Sequence, residues 1–171
     1  MALVKAVKGI IPNIGKRCFL AENATIVGDI IVGDDSSIWF NAVVRGDVHY
    51  IRIGKNVNIQ DGVIVHCTYR QAPVNIGNNV SIAHSAVLHG CTIHDNVLVG
   101  MGAILMDHVE VGSNSIIAAG ALLTRGTVVE ANSVYAGTPA KKIKAIDQEL
   151  SEGEILRIAN SYNMYAGWHK L

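Results

Sequence analysis

A chain of 171 residues that is 50% hydrophobic and 16% charged is long enough to bury one core and short of what two would need. Its 14 basic residues balance 14 acidic ones with no basic run, so nucleic acid is not an expected partner. No apolar run approaches membrane-spanning length, MALVKAVKGIIPNIGKRC lacks a signal-peptide core, and Cys18, Cys67 and Cys91 are odd in number and irregularly spaced; a cytoplasmic protein with reduced thiols and no membrane partner is expected.

Along the chain, large aliphatic residues stand six apart at Ile14, Leu20, Ile26, Val32, Ile38 and Val44. The register breaks and resumes as Ile53, Ile59 and Val65, as Ile76, Ile82 and Leu88, and as Ile93, Val99, Leu105, Val111, Ile117, Leu123 and Val129. Four residues after many of these comes a small or β-branched one, as at Ala24, Ser36, Ala42, Val63, Ala86, Ala103, Ser115, Ala121 and Thr127. This frame predicts an all-β solenoid of short parallel strands, with each aliphatic inward and the small residue at a tight corner. Three hexads make one triangular coil, which gives about six coils between Ile14 and Val129 and stacks residues 18 apart at a strand spacing of ~4.8 Å. A β-sandwich would instead place turn signals every 8 to 12 residues without a fixed hexad.

Pro139, in YAGTPAKKIK, closes the repeat, so residues 1–140 form the solenoid domain and 141–171 a linker and C-terminal helix. Ser151-Glu152-Gly153-Glu154 reads as a capping box opening that helix. Ile155, Ile158, Ala159, Tyr162 and Ala166 share one face of it, so a helix of about four turns packs along the solenoid.

The frame separates the histidines of VSIAHSAVLHGCTIHDN (80–96). His66 follows Val65 and His89 follows Leu88, so both point outward from the third face of successive coils. There, two nitrogens can converge on one Zn²⁺ at ~2.0 to 2.1 Å. His84 is the second residue after Ile82 on the second face, and five residues span up to ~16 Å, so it does not easily reach the same ion within one chain. In a three-fold homotrimer the second face of one subunit can meet the third face of the next, and His84 would complete the site across that interface. His94 follows Ile93 on the first face and reads as a solvated surface histidine.

Polar residues surround these positions in the same frame. The outward stack reads Arg45, His66, His89, with Asp47 two residues beyond Arg45; Asp61 lies one coil beneath His84, and Asn58 and Gln60 flank inward Ile59 toward the expected interface. Cys67, beside His66, is expected to be a packed thiol turned away from it, and Met101 and Met106 to be packing residues.

The hexad pattern over about residues 10 to 140 resembles the left-handed parallel β-helix of the hexapeptide-repeat proteins. VVRGD (43–47), NIQDG (58–62), VHC (65–67) and AHSAVLHG (83–90) resemble gamma-class carbonic anhydrase. The resemblance implies a left-handed coil and a homotrimer with three histidines binding zinc, or iron or cobalt, at each interface, two from one subunit and one from its neighbour. His66, His84 and His89 match them; Arg45, Asp47, Asn58, Gln60 and Asp61 match the accompanying motif, and Tyr162 in ANSY resembles a site tyrosine. A cation held by these three neutral imidazoles would supply Lewis acidity that ionises water near neutral pH, the chemistry that the resemblance implies for hydrating CO₂ to bicarbonate.

The amide of Gln60, donor and acceptor at once, suits orienting that hydroxide or the nascent bicarbonate. Arg45 with Asp47 or Asp61 suits holding the interface. Val48 stands where the family's most active pattern has a glutamate, and the insert TYRQAP (68–73) lacks an acidic loop, so a slow proton route is expected. Two other readings stay open. GTPAKKI (137–143) is also typical of hexapeptide-repeat acyltransferases using acyl-CoA, and site residues alone leave room for a non-catalytic metal-binding assembly subunit.

Overall fold

The computed structural model describes residues 1–169. Three stacks of inward residues, joined by parallel strand registers, form the core. The first runs Ile14, Val32, Ile53, Ile76, Ile93, Val111, Val129. The second runs Leu20, Ile38, Ile59, Ile82, Val99, Ile117, Tyr135. The third runs Val4, Ile26, Val44, Val65, Leu88, Leu105, Leu123. Beyond the first coil every member is buried, so each coil covers the apolar floor of the next, as a solenoid requires.

The coils number seven rather than six. The strand Ser133–Gly137 adds a layer beyond Val129, and its inward residue is Tyr135, an aromatic that a search for aliphatics passes over. At the other end Leu3–Lys5 pairs with Thr25–Val27. After Pro139 the chain does not become a linker at once, because Ala140–Ala145 folds back antiparallel on Ser133–Gly137 and covers the last coil's open edge.

Each break in the hexad has a structural cause. The strand Val43–Ile53 runs on through Asp47–Tyr50 before it rejoins the frame. Cys67 to Pro73 form a loop closed by a Thr68–Ala72 bridge, and the five-residue step from Leu88 to Ile93 turns at Gly90, whose φ is +58°. All three irregularities fall beside the third-face histidines and give the surface there its relief. The opposite corner is regular, with Asn56, Asn79, Asn96 and Asn114 in left-handed conformations and their amides linked in a ladder at 3.0 Å per step.

The C-terminal helix begins earlier than the Ser151 box suggests. Asp147 Oδ1 accepts the Leu150 N–H at 2.8 Å, which is an N-cap geometry; a short α-turn Gln148–Leu150, a π-helical turn Ser151–Leu156 and the α-helix Arg157–Trp168 follow. The side chains of Ser151 and Glu152, on which the box depended, lie outside the described residues. Ile155, Ala159 and Ala166 are buried against the solenoid as expected. Asn56 gives and receives amide hydrogen bonds with Asn160 and Asn163 at 3.1 and 2.8 Å, and Tyr162 stands edge-on to Trp39 at 5.3 Å. No described helix is long and apolar enough to cross a membrane.

Cys67 and Cys91 are 1% exposed, and burial pushes their thiols up to about 11 and about 12; Cys18 is partly exposed and raised by burial as well. Thiolates rather than thiols react. Native protein at pH 8 is therefore expected to yield at most one fast thiol to a disulfide reagent, and all three after unfolding in guanidinium. Two fast thiols in the native protein would contradict this packing.

Candidate metal centre

On the third face, Ile64–His66 and Val87–His89 are adjacent parallel strands in which His89 is the register partner of His66. Both imidazoles point outward, as the frame predicts, with ring centroids 5.2 Å apart. His66 Nδ1 faces His89 Nε2 at 3.2 Å. The far nitrogens are taken: His66 Nε2 lies 3.1 Å from Asp47 Oδ1, and His89 Nδ1 lies 2.7 Å from Asp107 Oδ1. Arg45 donates to the other oxygen of Asp47 at 2.7 Å, and Thr68 Oγ1 donates to the other oxygen of Asp107 at 2.7 Å.

Burial works to raise both carboxyls, but these hydrogen bonds outweigh it and hold Asp47 and Asp107 below their ordinary values. An ionised carboxylate only accepts, so the protons belong on the far nitrogens and two lone pairs are left facing each other. Burial, with Arg45 nearby, also lowers His66, against the pull of Asp47, which favours the neutral form that a metal requires. Two lone pairs at this separation repel unless a cation lies between them. Zn²⁺ bonds of ~2.0 to 2.1 Å to nitrogens 3.2 Å apart subtend roughly 100°, close to tetrahedral. The donor pair therefore fits a divalent metal.

His84 follows the second-face strand Ser81–Ile82, half exposed, with Nδ1 3.0 Å from Asp61 Oδ2. It shares a cavity of about 340 Å³ with Gln60, Met101, Tyr162 and Tyr165. Gln60 and Asn58 are buried rather than open on that face, at 3% and 1% exposure. The Gln60 amide donates to Asn58 Oδ1 at 2.9 Å, and Asn58 donates to Ser81 Oγ at 2.8 Å. Burial, aided by Asp61, pushes the Tyr162 hydroxyl up to about 12.

The chain thus carries two separate polar clusters: Arg45, Asp47, His66 and His89 on the third face, and Asn58, Gln60, Asp61 and His84 on the second, with Tyr162 of the C-terminal helix beside them. Among the described residues no three His, Cys, Asp or Glu groups converge as a metal cage within one chain. His94 stands apart on the first face, with Nε2 2.8 Å from Glu110. Cys67 is turned inward, its thiol reaching toward the Tyr50 carbonyl at 3.5 Å. His49 Nδ1 accepts its neighbour's N–H, from Tyr50, at 2.9 Å.

Three features escaped the sequence reading. Asp107 and Thr68 meet at His89 from different coils, and Trp39 backs Tyr162. Met101 and Met106 do not serve the core, being 58% and 43% exposed; Met101 lines the His84 cavity, and Met106 lies in a groove with His89, Val87 and Ile104. Ile64 at 38% and Ile104 at 42% exposure, stacked on either side of Val87, form with Met106 an apolar stripe beside the imidazole pair, the kind of surface that a partner covers.

Residues 12–46 and 90–125 match the model of the bacterial transferase hexapeptide (six repeats) family. The chain is 40% identical over 159 residues to gamma carbonic anhydrase 2, mitochondrial, of Arabidopsis thaliana, covering 90% of this chain and 56% of that protein. It spans little more than half of that relative's length. It is 39% identical over 148 residues to a carbonic anhydrase of Geobacillus kaustophilus, covering 86% of this chain and 79% of that one. A Bacillus cereus structure provisionally assigned as an acetyltransferase superposes with a TM-score of 0.95 at 37% identity, covering 99% and 97% of the two chains. Acyltransferase structures at 13 to 19% identity share the fold alone. With relatives this similar along most of its length, and the paired histidines set on the third face of a hexapeptide-repeat solenoid, the chain belongs to the gamma carbonic anhydrase family.

Proposed function

We propose that the protein catalyses the reversible hydration of CO₂ to bicarbonate at the interfaces of a homotrimer, with Zn²⁺, or alternatively Fe²⁺ or Co²⁺, held by His66 and His89 of one subunit and His84 of the next. The observation that carries this reading is the imidazole pair, with near nitrogens 3.2 Å apart and far nitrogens taken by carboxylates. A divalent cation there would supply Lewis acidity that ionises water near neutral pH. Everything else falls to the chain's own groups. Asp47 and Asp107 hold the rings. Asp61 occupies Nδ1 of His84 and leaves Nε2 to reach across the interface. Gln60, fixed by Asn58 in the wall of the His84 cavity, orients water or nascent bicarbonate. The Tyr162 hydroxyl keeps its proton at neutral pH and can donate a hydrogen bond to a bicarbonate oxygen without shuttling. Arg45 ties Asp47 and, being exposed, is available to the facing subunit. Three thiols with no disulfide fit a reducing compartment such as the cytoplasm.

The acyltransferase reading rests on GTPAKKI, which forms the hairpin of the last coil. His66 and His89 stand on the fourth and fifth third-face strands, and a general base for acyl transfer has no use for a second, converging imidazole. The test is metal content together with CO₂ hydration after anaerobic and aerobic purification, alongside mass by light scattering. A trimer with about one metal per chain and measurable hydration is expected. A fully metallated trimer without hydration would leave the assembly-subunit role, and acetyl-CoA turnover without metal would restore the transferase. A monomer retaining one tight metal per chain would end the shared-site reading.

A further inference from the structure

We propose that Asp107, itself held by Thr68, is the positioning residue that makes His89 a metal ligand, by fixing its proton on Nδ1 and so turning the Nε2 lone pair toward His66. The inference rests on the metal reading above and adds a residue that none of the matched motifs contains.

The imidazole pair has two ways to satisfy itself. In one, a proton on either facing nitrogen makes a hydrogen bond between the rings across the 3.2 Å gap, and the pair is closed to a cation. In the other, both protons are drawn outward, and the gap becomes a two-nitrogen claw. The outer acceptors decide which. On the His66 side the acceptor is Asp47, shared with Arg45. On the His89 side it is Asp107 at 2.7 Å, whose second oxygen is held by Thr68 at 2.7 Å.

The backbone is arranged around this contact. A Cβ at position 90 would run into Asp107 Oδ1 and come within 2.6 Å of the Ala72 Cβ, so only glycine lets the carboxylate reach past the chain to the ring. The His108 N–H, next to Asp107, donates to the Gly90 carbonyl at 2.7 Å and pins the two coils together at that point. Thr68 is set by the bridge to Ala72 that closes the insert after Cys67. The short insert TYRQAP, which brings no acid of its own, thus supplies through its first residue the hydrogen bond that orients one.

The test uses the full-length protein and Zn²⁺ alone. In metal-free protein at pH 8, ¹⁵N–¹H correlation of the imidazoles should show His89 protonated on Nδ1, and Asp107→Ala should move the proton to Nε2. Zn²⁺ affinity, measured by competition with a chromogenic chelator, should fall about 10- to 100-fold in Asp107→Ala. Asp107→Asn, which keeps an acceptor oxygen without the charge, and Thr68→Val should each lose less, on the order of threefold to tenfold. Glu110→Ala, which releases only His94, should lose nothing. If Asp107→Ala does not fold, the tautomer and affinity of Asp107→Asn and Thr68→Val decide the matter. Affinities within about twofold of wild type, with His89 still protonated on Nδ1, would overturn the positioning role and leave the metal site standing. Wild type that binds Zn²⁺ no better than the His66→Ala, His89→Ala double variant would overturn both.

Discussion

His66→Ala and His84→Ala, each assembled alone, are expected to lose metal affinity on the order of 100-fold or more and with it CO₂ hydration; co-assembled one to one, they should recover about a quarter of wild-type activity. The recovery follows from the division of the site between faces. The third-face strands carry His66 and His89 in register, whereas His84 is tied to Asp61 on the second face. An intact interface needs a His66 donor beside a His84 donor. Random mixing makes roughly three quarters of the trimers heterogeneous, and each of these holds one intact interface of three. If all three ligands came from one chain, every chain in the mixture would lack one, and nothing would return. His94→Ala supplies the contrast, because that imidazole pairs with Glu110 on the first face and its loss should leave metal content unchanged. Equal loss in the His94 variant would mean that the short step through Gly90 had been misplaced in the frame.

Much of this arrangement is legible in spacing alone, because a solenoid turns one-dimensional periodicity directly into neighbourhood. Counting sixes puts His66 beside His89, Asp61 beneath His84 and His94 out of reach, and the registers and contacts agree. What spacing misses is what departs from the repeat. Tyr135 fills an inward position with a ring, so the seventh coil went uncounted. Ala140–Ala145 pairs antiparallel, in a geometry for which the hexad has no symbol. The helix is capped at Asp147, four residues ahead of the expected box, since one cap residue is a weak signal beside a helix's apolar face. Asp107 lies just past the register partner of His89, and its approach depends on Gly90 and the Thr68 loop, both products of irregular steps. Met101 and Met106 are expected as packing residues, but within one chain they are exposed, and spacing alone does not separate packing inside a chain from packing against a partner. The hand of the coil is absent from the spacing altogether and comes with the family.

CO₂ hydration by the metallated trimer is expected to be limited by proton transfer and to rise with imidazole concentration at fixed pH and ionic strength, on the order of tenfold before it saturates. The groups near the site give the reason. Val48 stands where the family resemblance implies an acid, and the loop from Cys67 to Pro73 contains none. Tyr162 keeps its proton at neutral pH, with burial pushing it up to about 12. One ring nitrogen of His49 is occupied by the Tyr50 N–H, which leaves a single nitrogen and no relay within the ring. The cavity of about 250 Å³ beside Asp47 and His49 is lined by Lys8, Arg70, Tyr50 and Tyr69 as well as Asp29, and Asp47, held below its ordinary value by its hydrogen bonds to Arg45 and His66, makes a poor proton carrier near pH 7. A small base of pKa near 7 can enter from solvent and take the proton that these side chains cannot. Fast turnover independent of buffer would reveal an internal relay, with the free nitrogen of His49 the first place to look through His49→Ala. No hydration at any imidazole concentration would mean that the missing step is not proton transfer, and the catalytic reading would give way to a metal-holding role at the same histidines.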